Sequence, residues 1–415
     1  MIILWLLDIP HEYGLRHGAT LRYTNFSRGL MARNHAVYYL VTKGPKGDRG
    51  GRNEFLEALK ADNCISGFFE IEQCPYPPLR GKLSRLAIHP RFQNWVLRSA
   101  LAPYKSQVYD LVSRLSADVC IISQRACLPL LPELARMTPT IIDWCDSFVL
   151  ANTREIRLLL KTGELAKLPA AIRALFHPLM EETFYSRYSA ANILVSQADK
   201  KCMDRLNNRP PLNHVIHNGV AFPVDGRPEV TKEPNRVIFS GSMSFPPNYN
   251  GALWFIECVM PLLVQKNKDL RFVIAGQEPV PKLLSKADEH IKVTGLVPDI
   301  RAEIAKSQLY VAPLISGTGF RNKIVEAIAS GTYVIGTPMA LEFLDGKLRS
   351  ALLVARTPEE FAAGIQEFLQ NPRAFDDRLH DAMKIVREDY QWASRVKELE
   401  DLCRQAMEQH AQPRR

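Results

Sequence analysis

SGTGFRNKIVEAIASGTYVIGT, residues 316–337, is the stretch from which the fold is read. Gly317 and Gly319 flank Thr318 in a tight turn that presents backbone N–H groups. Ile324, Val325, Ala327, Ile328 and Ala329 follow at helical spacing, so the turn stands at a helix N-terminus, where free amides and the macrodipole attract phosphate. Arg321 and Lys323 fall in the first turn of that helix, against the dipole, and a diphosphate supplies the reason for them. Glu326, three residues beyond Lys323, projects from the same end and offers acceptors for two ribose hydroxyls. Gly331 ends the helix, and TYVIG reads as the next buried strand. The plainer reading is a surface loop before an ordinary α/β helix, since glycine turns alone are weak signals.

Around this stretch, short β-like runs alternate with longer helical patterns, the signature of parallel α/β layers. Strands are predicted at Ile2–Leu7, Ala36–Val41, Gly67–Glu72, Val119–Ser123, Thr140–Asp143, Ile193–Val195 and His214–Ile216. A second series follows at Arg236–Phe239, Leu270–Ala275, Ile291–Thr294, Leu309–Ala312, Tyr333–Ile335 and Ala351–Val354. Between the two, AFPVDGRPEVTKEPN at residues 221–235 holds three prolines and many charges without a hydrophobic period, and reads as a linker. The predicted layout is an N-terminal Rossmann-like domain over 1–222, a second over 223–388, and a C-terminal helix over 389–415 that crosses back to the first.

At 415 residues, 46% hydrophobic and 23% charged, the chain can bury two or three ordinary globular cores. Its eight cysteines form no C-x-x-C pair, which argues against a zinc site and against a disulfide framework. The opening IILWLLD is too short to span a bilayer and lacks the basic flank of a signal peptide, so a cytoplasmic protein is expected. The net charge of +9 asks for an anionic partner or a solubility role. No acid stands between Glu72 and Asp110, while Arg80, Lys82, Arg85, Arg91, Arg98 and Lys105 are interleaved with apolar residues such as Phe92 and Trp95. That segment suits either an anionic membrane surface, placing the protein peripherally on the inner face, or a helical pair whose basic side is merely solvated. Nucleic acid is not expected, because no helix-turn-helix, zinc-finger or RNP-like pattern accompanies the charge.

Two further strand ends run into candidate turns. After Val237–Phe239 come Ser240, Gly241 and Ser242, then a helix with Asn248 or Asn250 as its cap. No arginine or lysine lies between Val237 and Pro261, so the cationic duty falls on Arg321 and Lys323. IIDWCDSFVL, residues 141–150, carries Asp143 and Asp146 at the carboxyl end of a strand, where side chains face the ligand crevice of parallel sheets. Helix capping by Asp146 or Ser147 is the alternative. There is no D-x-D tripeptide to hold a divalent ion on a diphosphate, and no metal site is predicted.

The segment from Ser316 to Thr337 resembles the donor signature of the GT-B glycosyltransferases, in particular the retaining family 4: G-x-G-x-R-x-K-x-x-E-A, then G-x-x-V-I-x-T. Gly317, Gly319, Arg321, Lys323, Glu326, Ala327, Gly331, Val334, Ile335 and Thr337 fall on it, and Thr318 stands where many relatives carry a further glutamate. LRHGATLRYTNF, from Leu15, is similar to the family's opening loop and helix. Gly18 and Ala19 there admit a diphosphate, Arg22 either meets a phosphate or solvates the helix face, and His17 is either a cleft residue or a structural one. The D-x-x-D-S segment, VSQADKKCMDRL and HNGV at His217–Val220 are also similar to family landmarks, a tight turn sufficing to explain Asn218-Gly219.

The resemblance implies a GT-B fold of two Rossmann-like domains facing a central cleft, and a metal-independent, retaining hexosyltransferase without a cofactor. Arg321, Lys323, Asp143, Asp146 and His17 become the catalytic candidates. Gly18, Gly241, Ser242, Gly317, Thr318, Gly319, Phe320 and Glu326 become the donor-binding ones. The implied donor is a nucleoside-diphosphate sugar, and the acceptor a saccharide or lipid-linked saccharide of bacterial surface polysaccharide synthesis, with a soluble or protein acceptor as the alternative. A phosphorylase or epimerase of the same architecture and a catalytically dead lobe are the rival classes; the intact Gly317, Arg321, Lys323 and Glu326 argue against the dead lobe.

Overall fold

The computed structural model describes residues 1–7, 18–42, 52–71, 98–207, 212–222 and 230–412. The chain divides into two compact units, Met1–Asn218 with Trp392–Arg415, and Gly219–Gln391.

In the first unit seven parallel strands run in the order β3-β2-β1-β4-β5-β6-β7. They are β1 (Ile2–Leu7), β2 (Ala36–Thr42), β3 (Gly67–Ile71), β4 (Val119–Ile122), β5 (Thr140–Cys145), β6 (Ala191–Leu194) and β7 (Asn213–Val215). Strands covered on both faces read as unbroken apolar runs, and IILWLL is one. Its alternate residues part to opposite sides: Ile3, Trp5 and Leu7 join one core, Leu4 and Leu6 the other. On the first side Trp5 meets Tyr23 edge-on at 5.6 Å, and Val396, Leu399 and Cys403 of the C-terminal helix Trp392–Ala411 complete the packing. A Cβ on Gly29 would lie 2.3 Å from Val396 Cγ2, so glycine is what lets this helix settle on the opening helix Gly18–Ala32.

In the second unit six parallel strands run β10-β9-β8-β11-β12-β13. They are β8 (Glu233–Ser240), β9 (Arg271–Ala275), β10 (Ile291–Gly295), β11 (Ser307–Ala312), β12 (Tyr333–Gly336) and β13 (Leu353–Val354). One core, from Val220 to Tyr390, belongs wholly to this unit. All thirteen predicted strands are present, with ends displaced by at most three residues. The largest displacement is at β8, which begins inside the predicted linker because Lys232 Nζ donates to the carbonyls of Ala305 and Ser307 and to Thr332, fastening the chain there. Residues 223–229 of the linker lie outside the described residues. The units part at Asn218/Gly219 and Gln391/Trp392, where Val220 N donates to Tyr390 O at 2.7 Å and ties the entering chain to the leaving one.

Residues 72–97, which hold most of the basic segment, lie outside the described residues. Lys105, on the helix Arg98–Leu115, is paired with Glu133 at 2.7 Å. Among the described residues no helix is long and apolar enough to cross a membrane.

Candidate active site

Strand order in the second unit reverses at β8, which has β9 on one side and β11 on the other. Ligands of open parallel sheets bind beyond the carboxyl ends of the strands at such a point. The helix Pro246–Trp254, which follows the β8 loop, meets the loop leaving β11 there: a Cβ on Gly251 would lie 2.8 Å from Pro313 O, and one on Gly317 would lie 3.1 Å from Pro247 Cγ. Gly241 and Ser242 are thereby brought to the same edge of the sheet as Gly317, Thr318 and Gly319. Gly317 and Gly319 take φ of 97° and 84°, the left-handed region that only glycine enters without strain. The turn has the conformation its glycines predict.

The helix that follows spans Asn322–Ala329, one residue later than the first-turn placement of Arg321 requires. Arg321 instead occupies the N-cap, and its Nη1 donates back to the carbonyl of Thr318 inside the turn. Lys323 lies in the first helical turn, and its Nζ pairs with Glu326 Oε2 at 2.8 Å. Glu326 is 9% exposed. Phe320 packs edge-on against Phe343, centroids 4.6 Å apart, and so anchors the turn to the core. Thr337, the last residue of the motif, donates to Leu314 O at 2.5 Å and ties the end of β12 to the loop after β11.

Around β8 the expected cap is absent. The helix Pro246–Trp254 starts behind Phe245 with proline at its first turn and no side-chain cap. Asn248 Nδ2 reaches Ser242 O at 2.9 Å, closing the Gly241–Ser242 loop. Gly276, which the sequence did not single out, sits against this loop so closely that a Cβ would fall 1.7 Å from Gly241 O. Its signal was the glycine directly after a strand, VIAG, the same pattern as at Gly241. Ser242 Oγ lies 3.0 Å from Ser244 Oγ, which donates to Glu278 at 2.7 Å.

The first unit uses its predicted site residues differently. Arg22 neither solvates its helix nor reaches a crevice; it is 1% exposed. Its Nε and Nη2 donate to the two oxygens of Asp143 at 2.9 and 3.1 Å, and Nη1 donates to Ile216 O at 3.0 Å and Asn218 Oδ1 at 2.8 Å. Burial opposes the charge, yet Asp143 and the Cys145 side chain hold the guanidinium above its ordinary pKa. Asp143 is thus the buried counter-ion of Arg22 and not a crevice-facing carboxylate. Asn218 has no positive φ; it is an acceptor for Arg22.

Asp146 is half-buried, and capping of the helix Phe148–Thr162 falls to Ser147, whose Oγ accepts from Leu150 N. Glu182 reinforces that cap, accepting from Phe148 N and Ser147 Oγ, both at 2.7 Å, and from Arg125 at 3.0 Å. Burial pushes the Glu182 carboxyl up, against the pull of Arg125. VSQAD proves to be another cap, Ser196 receiving Asp199 N at 3.1 Å while Asp199 Oδ1 accepts Ser147 N at 3.0 Å. Gly18 is exposed at the start of its helix, and His17 lies outside the described residues. Among the described residues no three His, Cys, Asp or Glu side chains cluster as a metal site requires.

Comparison with known proteins places these features. Residues 234–371, which contain the β8 loop and the glycine turn, match the model of the family described as glycosyl transferases group 1. The "Uncharacterized 44.6 kDa protein in cps region" of Klebsiella pneumoniae is 23% identical over 163 residues, 37% of this chain and 42% of that protein. The chain therefore matches about two fifths of the length of this curated relative. Among solved structures, HepE of Anabaena in complex with UDP is 15% identical, covering 97% of this chain and 99% of that one, with a TM-score of 0.63. Sucrose-phosphate synthase from Thermosynechococcus elongatus is 14% identical at a TM-score of 0.66, with coverages of 98% and 99%. WaaG, a glycosyltransferase involved in lipopolysaccharide biosynthesis, is 12% identical at 0.62, with coverages of 97% and 99%. At such identities the likeness is one of fold. The protein has the GT-B fold, and its second unit carries the glycosyl transferases group 1 segment.

Proposed function

We propose that this protein is a retaining, metal-independent glycosyltransferase of family 4 that moves a sugar from a nucleoside-diphosphate sugar to a saccharide or lipid-linked acceptor. The observation that carries this reading is the glycine turn with Arg321, Lys323 and Glu326, packed against the helix that follows the β8 loop at the strand-order reversal, inside the segment matched by the family model. The bond that breaks joins the anomeric carbon to a diphosphate oxygen, so negative charge grows on the departing phosphate. Cations and backbone amides fixed beforehand around that charge lower the barrier more than they tighten the ground state. Arg321 at the N-cap and Lys323 in the first turn supply the cations, and the helix N-terminus adds its amides. In this arrangement they do the work that a divalent ion does elsewhere.

Glu326 takes the ribose hydroxyls, and in doing so releases Lys323 to the phosphates. UDP is the favoured nucleotide because HepE, of the same fold, has been solved with UDP and with UDP-glucose. The cps-region relative supports a role in surface polysaccharide synthesis. A thermal-shift series with UDP, GDP, ADP and their sugars tests the donor, since a ligand at a hundred times its Kd stabilises by about 2.7 kcal/mol. A response to UDP and UDP-sugars is expected, with turnover unchanged by EDTA. No response to any of the three nucleotides overturns the reading.

A further inference from the structure

We propose that the helical hairpin formed by Phe148–Thr162 and Leu168–Tyr185 in the first unit is a docking surface for an anionic lipid membrane. Its base is anchored: Val149, Phe184 and Tyr185 are buried, and Glu181 and Glu182 are engaged by Arg125. Its tip is not covered. Leu160, Leu165, Ile172 and Phe176 are 54, 60, 41 and 48% exposed, large apolar side chains on the connection and on the helix halves that flank it. Gly163, with φ of 74°, ends the first helix and makes that turn, and Ile172 and Phe176 share a face of the second helix at i,i+4 spacing. Clustered apolar surface of this kind marks an interaction site.

The charges at the tip select the occupant. Arg157, Lys161, Lys167 and Arg173 are all exposed among these apolar residues, against a single interposed acid, Glu164, which is paired with Lys167. Lysine is depleted from the cores of protein interfaces, so a second copy or another protein is poorly matched to this patch. A membrane surface is well matched, because lysine and arginine lay their stems on apolar groups and keep their heads among the phosphates. Each cation held near an anionic leaflet adds about fivefold to affinity. The proposal rests on the lipid-linked reading of the acceptor for its purpose, but not on the donor chemistry. It uses none of the basic residues of the segment from Arg80 to Lys105.

Flotation of the full chain with vesicles of phosphatidylcholine alone and of phosphatidylcholine with phosphatidylglycerol tests it. Salt-sensitive binding to the second kind is expected. Leu165→Ser with Ile172→Ser and Phe176→Ser, and separately Arg157→Glu with Lys161→Glu and Arg173→Glu, should each weaken it at least tenfold. The thermal response to UDP should stay as in the parent, which separates this result from failure of the donor reading, and an unchanged melting transition of the first unit shows that the variants are folded. Absence of vesicle binding overturns the proposal. So does binding that survives both hairpin variants and is lost only with Arg80→Glu, Lys82→Glu and Arg85→Glu. A concentration-dependent dimer abolished by the serine variant also overturns it, by assigning the patch to a second copy.

Discussion

A buried guanidinium must have its charge answered inside the fold, and among the described residues Arg22 is answered by the carboxylate of Asp143, helped by two neutral acceptors. Asp143→Asn keeps the shape and leaves that charge unbalanced, which for buried pairs costs about 3–5 kcal/mol. Urea denaturation should show this loss, and the double variant Arg22→Met with Asp143→Leu should be much more stable than the sum of the two single changes. If Asp143→Asn unfolds like the parent but has lost turnover, Asp143 is a catalyst after all. In the second unit the pairing of Lys323 with Glu326 separates two variants that charge alone would make equivalent. Arg321→Ala should lower kcat by about two orders of magnitude, the scale for one lost donor to transition-state charge, with little change in UDP affinity. Lys323→Ala should lower kcat and also weaken UDP binding, because it removes the partner that orients Glu326. Glu326→Gln should weaken UDP in calorimetry, and unchanged binding would make Glu326 a packing residue.

At the scale of elements, the C-terminal helix is held to the first unit by Glu400, which accepts from Arg404 at 2.8 Å and from Arg33, and lies 3.0 Å from His35 Nε2. Arg404 first, then Arg33 and His35, hold its carboxyl down at about 2, against a burial that pushes it up. A carboxyl lowered on folding stabilises the fold above its unfolded pKa of about 4.3 and loses that contribution as acid titrates it. Stability should therefore fall as pH drops from about 4.3 towards 2, and Glu400→Gln should remove that slope. At neutral pH the variant should be less stable by about 1–2 kcal/mol, a figure discounted because Arg33 and Arg404 are roughly half exposed.

Elements are also where the sequence was most legible. Strands buried on both faces must be apolar along their whole length, so IILWLL, VIAG and TYVIG announce themselves. The glycine turn was legible because its residues act on one another across three or four positions. Arg22 was not: its partners lie 121 to 196 residues away, and nothing local distinguishes it from a solvated arginine. The same holds for Ser147, whose reinforcing carboxylate comes from Glu182, whereas Asn248 looked like a cap although its partner, Ser242 O, is only six residues back.

For the whole molecule, the division of the cores sets how it should unfold. The core from Val220 to Tyr390 draws on no residue of the first unit, and the two cores of the first unit draw on none of the second. The β8 loop, the glycine turn, Lys323 and Glu326 all belong to the second unit, so a nucleotide held by these residues stabilises that unit by mass action. The first unit depends on a helix from the far end of the chain, since Leu399 is 1% exposed within its core. Leu399→Ala should destabilise it by about 2–5 kcal/mol, the usual cost of such a cavity. Differential scanning calorimetry of the full chain should then resolve two transitions. UDP should raise only one of them, and Leu399→Ala should lower only the other. A single transition moved by both would mean that the units unfold as one cooperative body, with the donor site linked energetically to the C-terminal helix.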